Sequence, residues 1–168
     1  MSHIDMAGLL AFCKWLEQTS IGASVRQSLW LFPAIETVHL LGMAALLATI
    51  GAFDLRLAGF ILRGERVSSL ARRLLPWAWA GFAVQVVSGA LLFSSEATHM
   101  VVNPAFRVKM VLILLAGAHA LIFHLTAHRT MPAWDDQTPP PAVVRIAGLL
   151  SLFLWMGVVA AGRWIGFI

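Results

Sequence analysis

Glu36, His39 and Met43 stand three and four residues apart within an otherwise apolar run, WLFPAIETVHLLGMAALLATIGAF. That spacing puts all three on one face of a helix. Further polar residues interrupt three later apolar runs: Gln85 and Ser88, then His119 and His124 with His128 beyond them, then Ser151 and the closing Gly162-Arg163-Trp164. A polar side chain inside a long apolar helix is costly, so each needs a chemical reason.

One imidazole on each of two helices is what a b-type haem needs, with the iron ligated from opposite sides and apolar helix faces around the porphyrin. At the helical rise, His39 lies roughly 14 Å below a boundary near Trp30, and His119 roughly 18 Å below one near Arg107. This matched depth makes His39 and His119 the expected ligands of haem b. His124 lies about 7–8 Å deeper than His119 and points some 140° away, so it substitutes only if its helix is rotated. Gly42, Gly81, Gly89 and Gly117 would give the ring room. The same histidines also suit an ion or proton pathway, or plain hydrogen bonding between helices.

Glu36, about 9 Å deep, is the expected catalytic carboxylate, carrying a proton or facing a quinone. Its bland role is a hydrogen-bonded or ion-paired Glu, with Arg107 or His99 as partner. An alternative metal path takes copper through His99, Met100, His39 and Met43, since imidazole and thioether together suit Cu(I). Against that, Met usually fills apolar gaps. Asp54 and Arg56 are expected to cap a helix end and to pair with each other or the following loop.

The elements that must position these residues follow from composition. Of 168 residues, 60% are hydrophobic and 12% charged, with a mean hydropathy of +0.82. Soluble domains carry about 25% charged residues, so this chain has too little polar surface to cover a globule in water. Four apolar runs, about Leu29–Phe53, Leu74–Phe93, Val108–Ala127 and Val143–Trp164, are each long enough to cross a bilayer. Pro76 is expected to open the second in its first turn, where proline is tolerated. Residues 4–18 form an amphipathic helix with Ile4, Gly8, Phe12, Trp15 and Leu16 on its apolar face. They are too polar to span and suit the membrane surface, or else simply pack against the bundle.

The net charge of +4 forms no basic stripe, so nucleic acid is not an expected partner. Cys13 is the one cysteine, which leaves no internal disulfide and no thiolate metal cluster. Met1–Ser20 lacks the basic start and clean apolar stretch of a cleaved signal. Arg56, Arg63, Arg66, Arg72 and Arg73 crowd between the first two runs. The positive-inside rule places that loop in the cytoplasm and both termini on the periplasmic side. Arg107 and Lys109 count against this orientation; Arg129 and Arg145 count for it.

The segments FPAIETVHLLG, DLRLAGF, SGALLF, NPAFRVKM and GRWIGF resemble a family of small bacterial inner-membrane proteins of unknown function, from about Trp30 to the C-terminus. More loosely the chain is similar to four-helix membrane b-type cytochromes and to the copper-resistance protein D family. The expected fold is therefore all-α, an integral membrane four-helix bundle (29–168) with an N-terminal amphipathic surface helix and linker (1–28). The expected function is a b-type cytochrome-like electron-transfer protein, with haem held between spans one and three and exchanging electrons with quinone and a periplasmic or membrane redox partner. Copper handling and a non-catalytic anchor subunit are the alternatives, and self-association into a homo-oligomer is open.

Overall fold

A computed structural model describes residues 3–135, 137 and 139–168, without the side chains of 3–5, 127–130 and 132. The chain runs through α1 (His3–Gln18), α2 (Ser20–Gln27), α3 (Leu31–Leu57), α4 (Val67–Ser95), α5 (Ala97–Val102), α6 (Pro104–Thr130) and α7 (Ala142–Trp164). Helices α3, α4, α6 and α7 are each long and apolar enough to cross a membrane. The expected all-α membrane bundle is the observed fold.

Helix boundaries follow local chemistry. Thr19 caps α2, accepting from the Gly22 amide at 3.2 Å, and the Ser28 hydroxyl accepts from the Leu31 amide at 3.1 Å at the start of α3. The DLRLAGF segment is a helix stop. Gly59 has a φ of +82°, and Phe60 N–H donates back to the Leu55 carbonyl at 3.0 Å, the left-handed closure that glycine permits. Pro76 does not open its helix as expected. Helix α4 begins at Val67, so Pro76 lies well inside it and deprives the Arg72 carbonyl of its helical donor.

Helix α3 packs along α4 on one side and α7 on another, and α7 packs along α6. The contact of α3 with α7 is close because Gly148 has no side chain; a Cβ there would stand 2.7 Å from the Asp54 carbonyl oxygen. Two aromatic pairs tie α6 across the bundle. Phe93 stacks on Phe106 with centroids 5.4 Å apart at one end, and Phe53 meets Phe123 edge-on at 6.4 Å toward the other.

The bundle has two unlike ends. At the terminal end, α1 packs on α2 and α5, and all three pack on α4. Here α1 turns Cys13 inward and leaves Phe12 and Trp15 exposed, so the aromatic face read from the sequence is the outward one. The arginine end is closed by a small apolar core of Leu57, Val67, Met131, Trp134 and Val144.

Candidate functional site

His39 is half-buried on α3 against α4. Its Nδ1 lies 2.8 Å from the Ser88 hydroxyl oxygen, and a Cβ on Gly89 would stand 3.3 Å from its Cε1. Gln85 donates its side-chain amide to the His39 backbone carbonyl. The Ser88 hydroxyl itself donates to the Val84 carbonyl at 2.5 Å. A hydroxyl has one proton to give, and this one is committed to Val84. With that proton on Val84, Ser88 would accept from His39 Nδ1–H and the lone pair would lie on Nε2.

Lys109 completes the site. The sequence places it near an outer loop as a charge to be counted for orientation; the structure turns it inward, half-buried on α6. Its ammonium lies within electrostatic reach of the His39 ring, and its side chain runs over Gly162, with Nζ 3.4 Å from where a Cβ would be. Asn103 sets the start of that helix. Its Oδ1 accepts from the Ala105 amide at 2.9 Å and the Phe106 amide at 3.2 Å, with Pro104 at the first helical position, where its missing N–H costs nothing. The Asn103 side-chain amide donates to the Ile165 and Ile168 carbonyls at 3.2 and 2.8 Å. Four of the five segments that carry the family resemblance thus converge on one end: His39, Ser88 with Gly89, Asn103 with Lys109, and Gly162 with Ile165.

His119 does not join them. Its Nε2–H donates to the Ala147 carbonyl of α7 at 3.0 Å. Two rulers place it far from His39. On α7, Ala147 is fifteen residues from Gly162, which touches Lys109, about 22 Å at the helical rise. On α3, Asp54, whose carbonyl abuts Gly148, is fifteen residues from His39, again about 22 Å. Depth counted from assumed helix starts misses this, because α6 begins before the apolar run does. One haem needs both imidazoles at one iron; these two rings do not fit that group.

The remaining candidates are dispersed. Glu36 is exposed, Met43 is half-buried, and His124 is exposed on α6. His99 is exposed and Met100 half-buried on α5, with His99 beside a shallow cleft that also holds Glu17, Arg26 and Thr98. His128 lies outside the described side chains. Among the described residues no three His, Cys, Asp or Glu side chains converge to hold a metal ion, and the described ion pair is Arg26 with Glu17 at 3.6 Å.

Glu17, which the sequence puts on a polar face, reaches inward and accepts from the Thr98 amide at 2.7 Å and hydroxyl at 2.6 Å. Burial alone would push its carboxyl up; the two Thr98 bonds and the charges of Arg26 and Lys14 outweigh that and hold it below the ordinary value. At the arginine end, Asp54 and Arg56 are buried, 4% and 0% exposed. They pair as the sequence suggests only in part, for Arg56 Nε–H donates to the loop carbonyl of Glu65 at 2.9 Å while Asp54 turns to Ser151 on α7.

Four helices long and apolar enough to cross a membrane define a multi-pass membrane protein. The chain belongs to a family of unknown function, DUF6644, whose model matches residues 12–168. No curated protein and no solved structure matches it.

Proposed function

We propose that this is a proton-handling membrane protein in which His39 exchanges a proton at Nε2, in the half of the bundle nearer the chain termini. The observation that carries the reading is the Ser88 hydroxyl: bonded to the Val84 carbonyl, it holds His39 in the Nδ1–H tautomer. A ring nitrogen orients its partner nitrogen in this way wherever a histidine acts as base or ligand. Lys109, turned inward on α6 over Gly162, adds a positive charge within electrostatic reach of that acceptor. A cationic neighbour also makes His39 a poor ligand for copper. Electron transfer through haem would need an axial partner other than His119. The bacterial inner membrane, with the arginine end in the cytoplasm, fits the exposed Arg63, Arg66, Arg72 and Arg73 there, and Lys109 no longer counts against that orientation.

The test is proton flux into vesicles holding the purified chain and a pH-sensitive dye, driven by a potassium diffusion potential. The wild type should acidify the lumen faster than empty vesicles. His39→Asn should abolish the excess, Ser88→Ala should cut it about tenfold, and Glu36→Gln should leave it unchanged. Flux no faster than in empty vesicles, or an absorbance spectrum with a stoichiometric Soret band lost in His39→Asn, would overturn the proton reading.

A further inference from the structure

The arginine end carries a groove that the His39 site does not use. It lies along the first half of α4 and under the connection from α6 to α7, and Ser68, Arg72, Leu75, Trp79, Met131 and Asp135 line it. Its polar margin is built rather than incidental. Asp135 accepts from the Ser68 amide and from the Ser68 hydroxyl, both at 2.6 Å, and its carbonyl accepts from the Val67 amide at 3.2 Å. One carboxylate therefore pins the connection to the N-terminus of α4, where free amides favour negative charge.

That carboxylate does not neutralise its surroundings. Arg66 and Arg72 both bear on Asp135, Arg73 follows, and all three arginines are exposed, so the margin keeps an excess of positive charge. Below it the wall turns apolar: Leu75 is partly exposed and Trp79 is 66% exposed. Arg72 to Trp79 is seven residues, about 10 Å of helix, the step from headgroup level into the acyl region. Pro76 lies within this wall and cannot donate to the Arg72 carbonyl above it.

We propose that this groove is a binding site for an anionic phospholipid, its phosphate on Arg72 and Arg66 and one acyl chain along Leu75 and Trp79. Charge complementarity selects the occupant: a basic margin above an apolar wall at a membrane boundary fits a lipid phosphodiester with a net negative charge. The pin at Asp135 fixes the polar margin of the site.

The experiment uses the full chain in nanodiscs of phosphatidylcholine with and without phosphatidylglycerol, extracted into neutral detergent for native mass spectrometry. The wild type should retain phosphatidylglycerol in preference to phosphatidylcholine. Arg72→Gln should lower that preference about five-fold, the worth of one basic residue at a charged membrane surface, while Arg145→Gln should leave it intact. Equal retention of the two lipids by the wild type, or an unchanged preference in Arg72→Gln, would overturn the proposal. So would inorganic phosphate displacing phosphatidylglycerol completely, because the apolar wall would then contribute nothing.

Discussion

The two ends of this bundle bury polar groups by opposite means. At the terminal end three buried or half-buried groups meet partners from another element, while Ser94 and Ser95 bond back into α4. Asn103 makes two bonds to the start of its own helix and two to the chain's last carbonyls, Glu17 holds Thr98 through amide and hydroxyl, and His39 is held from α4. At the arginine end, Arg56 is fully enclosed yet held by a single bond to the Glu65 carbonyl. Among the described residues its two terminal nitrogens, and one oxygen of Asp54, have no hydrogen-bond partner. A guanidinium cannot shed its charge, and a buried charge without a close partner costs several kcal/mol. Hydrogen bonding therefore locks the terminal end. The arginine end is held by apolar packing and by the Asp135 pin, in spite of its buried charge.

Asn103→Ala should show the larger effect. It removes a helix cap, about 1 kcal/mol, and two further neutral bonds of about 1 kcal/mol each. The variant should lose about 3 kcal/mol in denaturant unfolding from micelles. A loss below about 1 kcal/mol would mean that the terminal end is not locked by these bonds. Arg56→Met should behave in the opposite sense. It keeps the length of the side chain, gives up one bond and removes an enclosed charge, an exchange that is often neutral or stabilising. Its stability should stay within about 1 kcal/mol of the wild type, whereas a loss above about 3 kcal/mol, the scale of a broken buried pair, would show Arg56 to be fully partnered and would erase the contrast between the ends.

The four spans are legible in the sequence because apolar length alone identifies them. Their ends are less so. Helix α4 starts seven residues before Leu74, since Arg72 and Arg73 are good helix formers that no apolar window admits, and α6 starts at Pro104 because Asn103 caps it. Lys109 stands second in the Val108–Ala127 run and reads there as an outer-side charge, its inward turn not being signalled by the run, and the matched depth of His39 and His119 depends on boundaries that are not the helix ends. The pairing of His39 with Ser88 was within reach, as both stand out on their helices, but which helices adjoin is set by close approaches such as Gly148 against Asp54, which no periodicity reports. The same holds for Arg56. Its place in DLRLAGF marks a helix end, while its burial, with Nε–H on the Glu65 carbonyl of the α3–α4 loop, is a tertiary outcome that the motif does not report.

The smallest effect should come from acid, and it tests the one device that both ends share. Glu17 and Asp135 each accept two hydrogen bonds from a single Thr or Ser. For Asp135, as for Glu17, burial pushes the carboxyl up, but the bonds from Ser68 and the charges of Arg66 and Arg72 prevail and hold it below the ordinary value. A carboxyl depressed in the folded state binds its proton more readily when unfolded. It therefore contributes stability that is fully present above its unfolded pKa and is lost as pH falls through the folded one. The ordinary values are 4.5 for Glu17 and 3.8 for Asp135. Thermal stability should accordingly be insensitive to these two groups between neutrality and about pH 5 and should decline below that. Glu17→Gln and Asp135→Asn should each be less stable than the wild type at pH 7 and should each flatten part of the acid decline. If Glu17→Gln alone flattened it, Asp135 would not be pinning the arginine end as a carboxylate, and that end would rest on apolar packing alone.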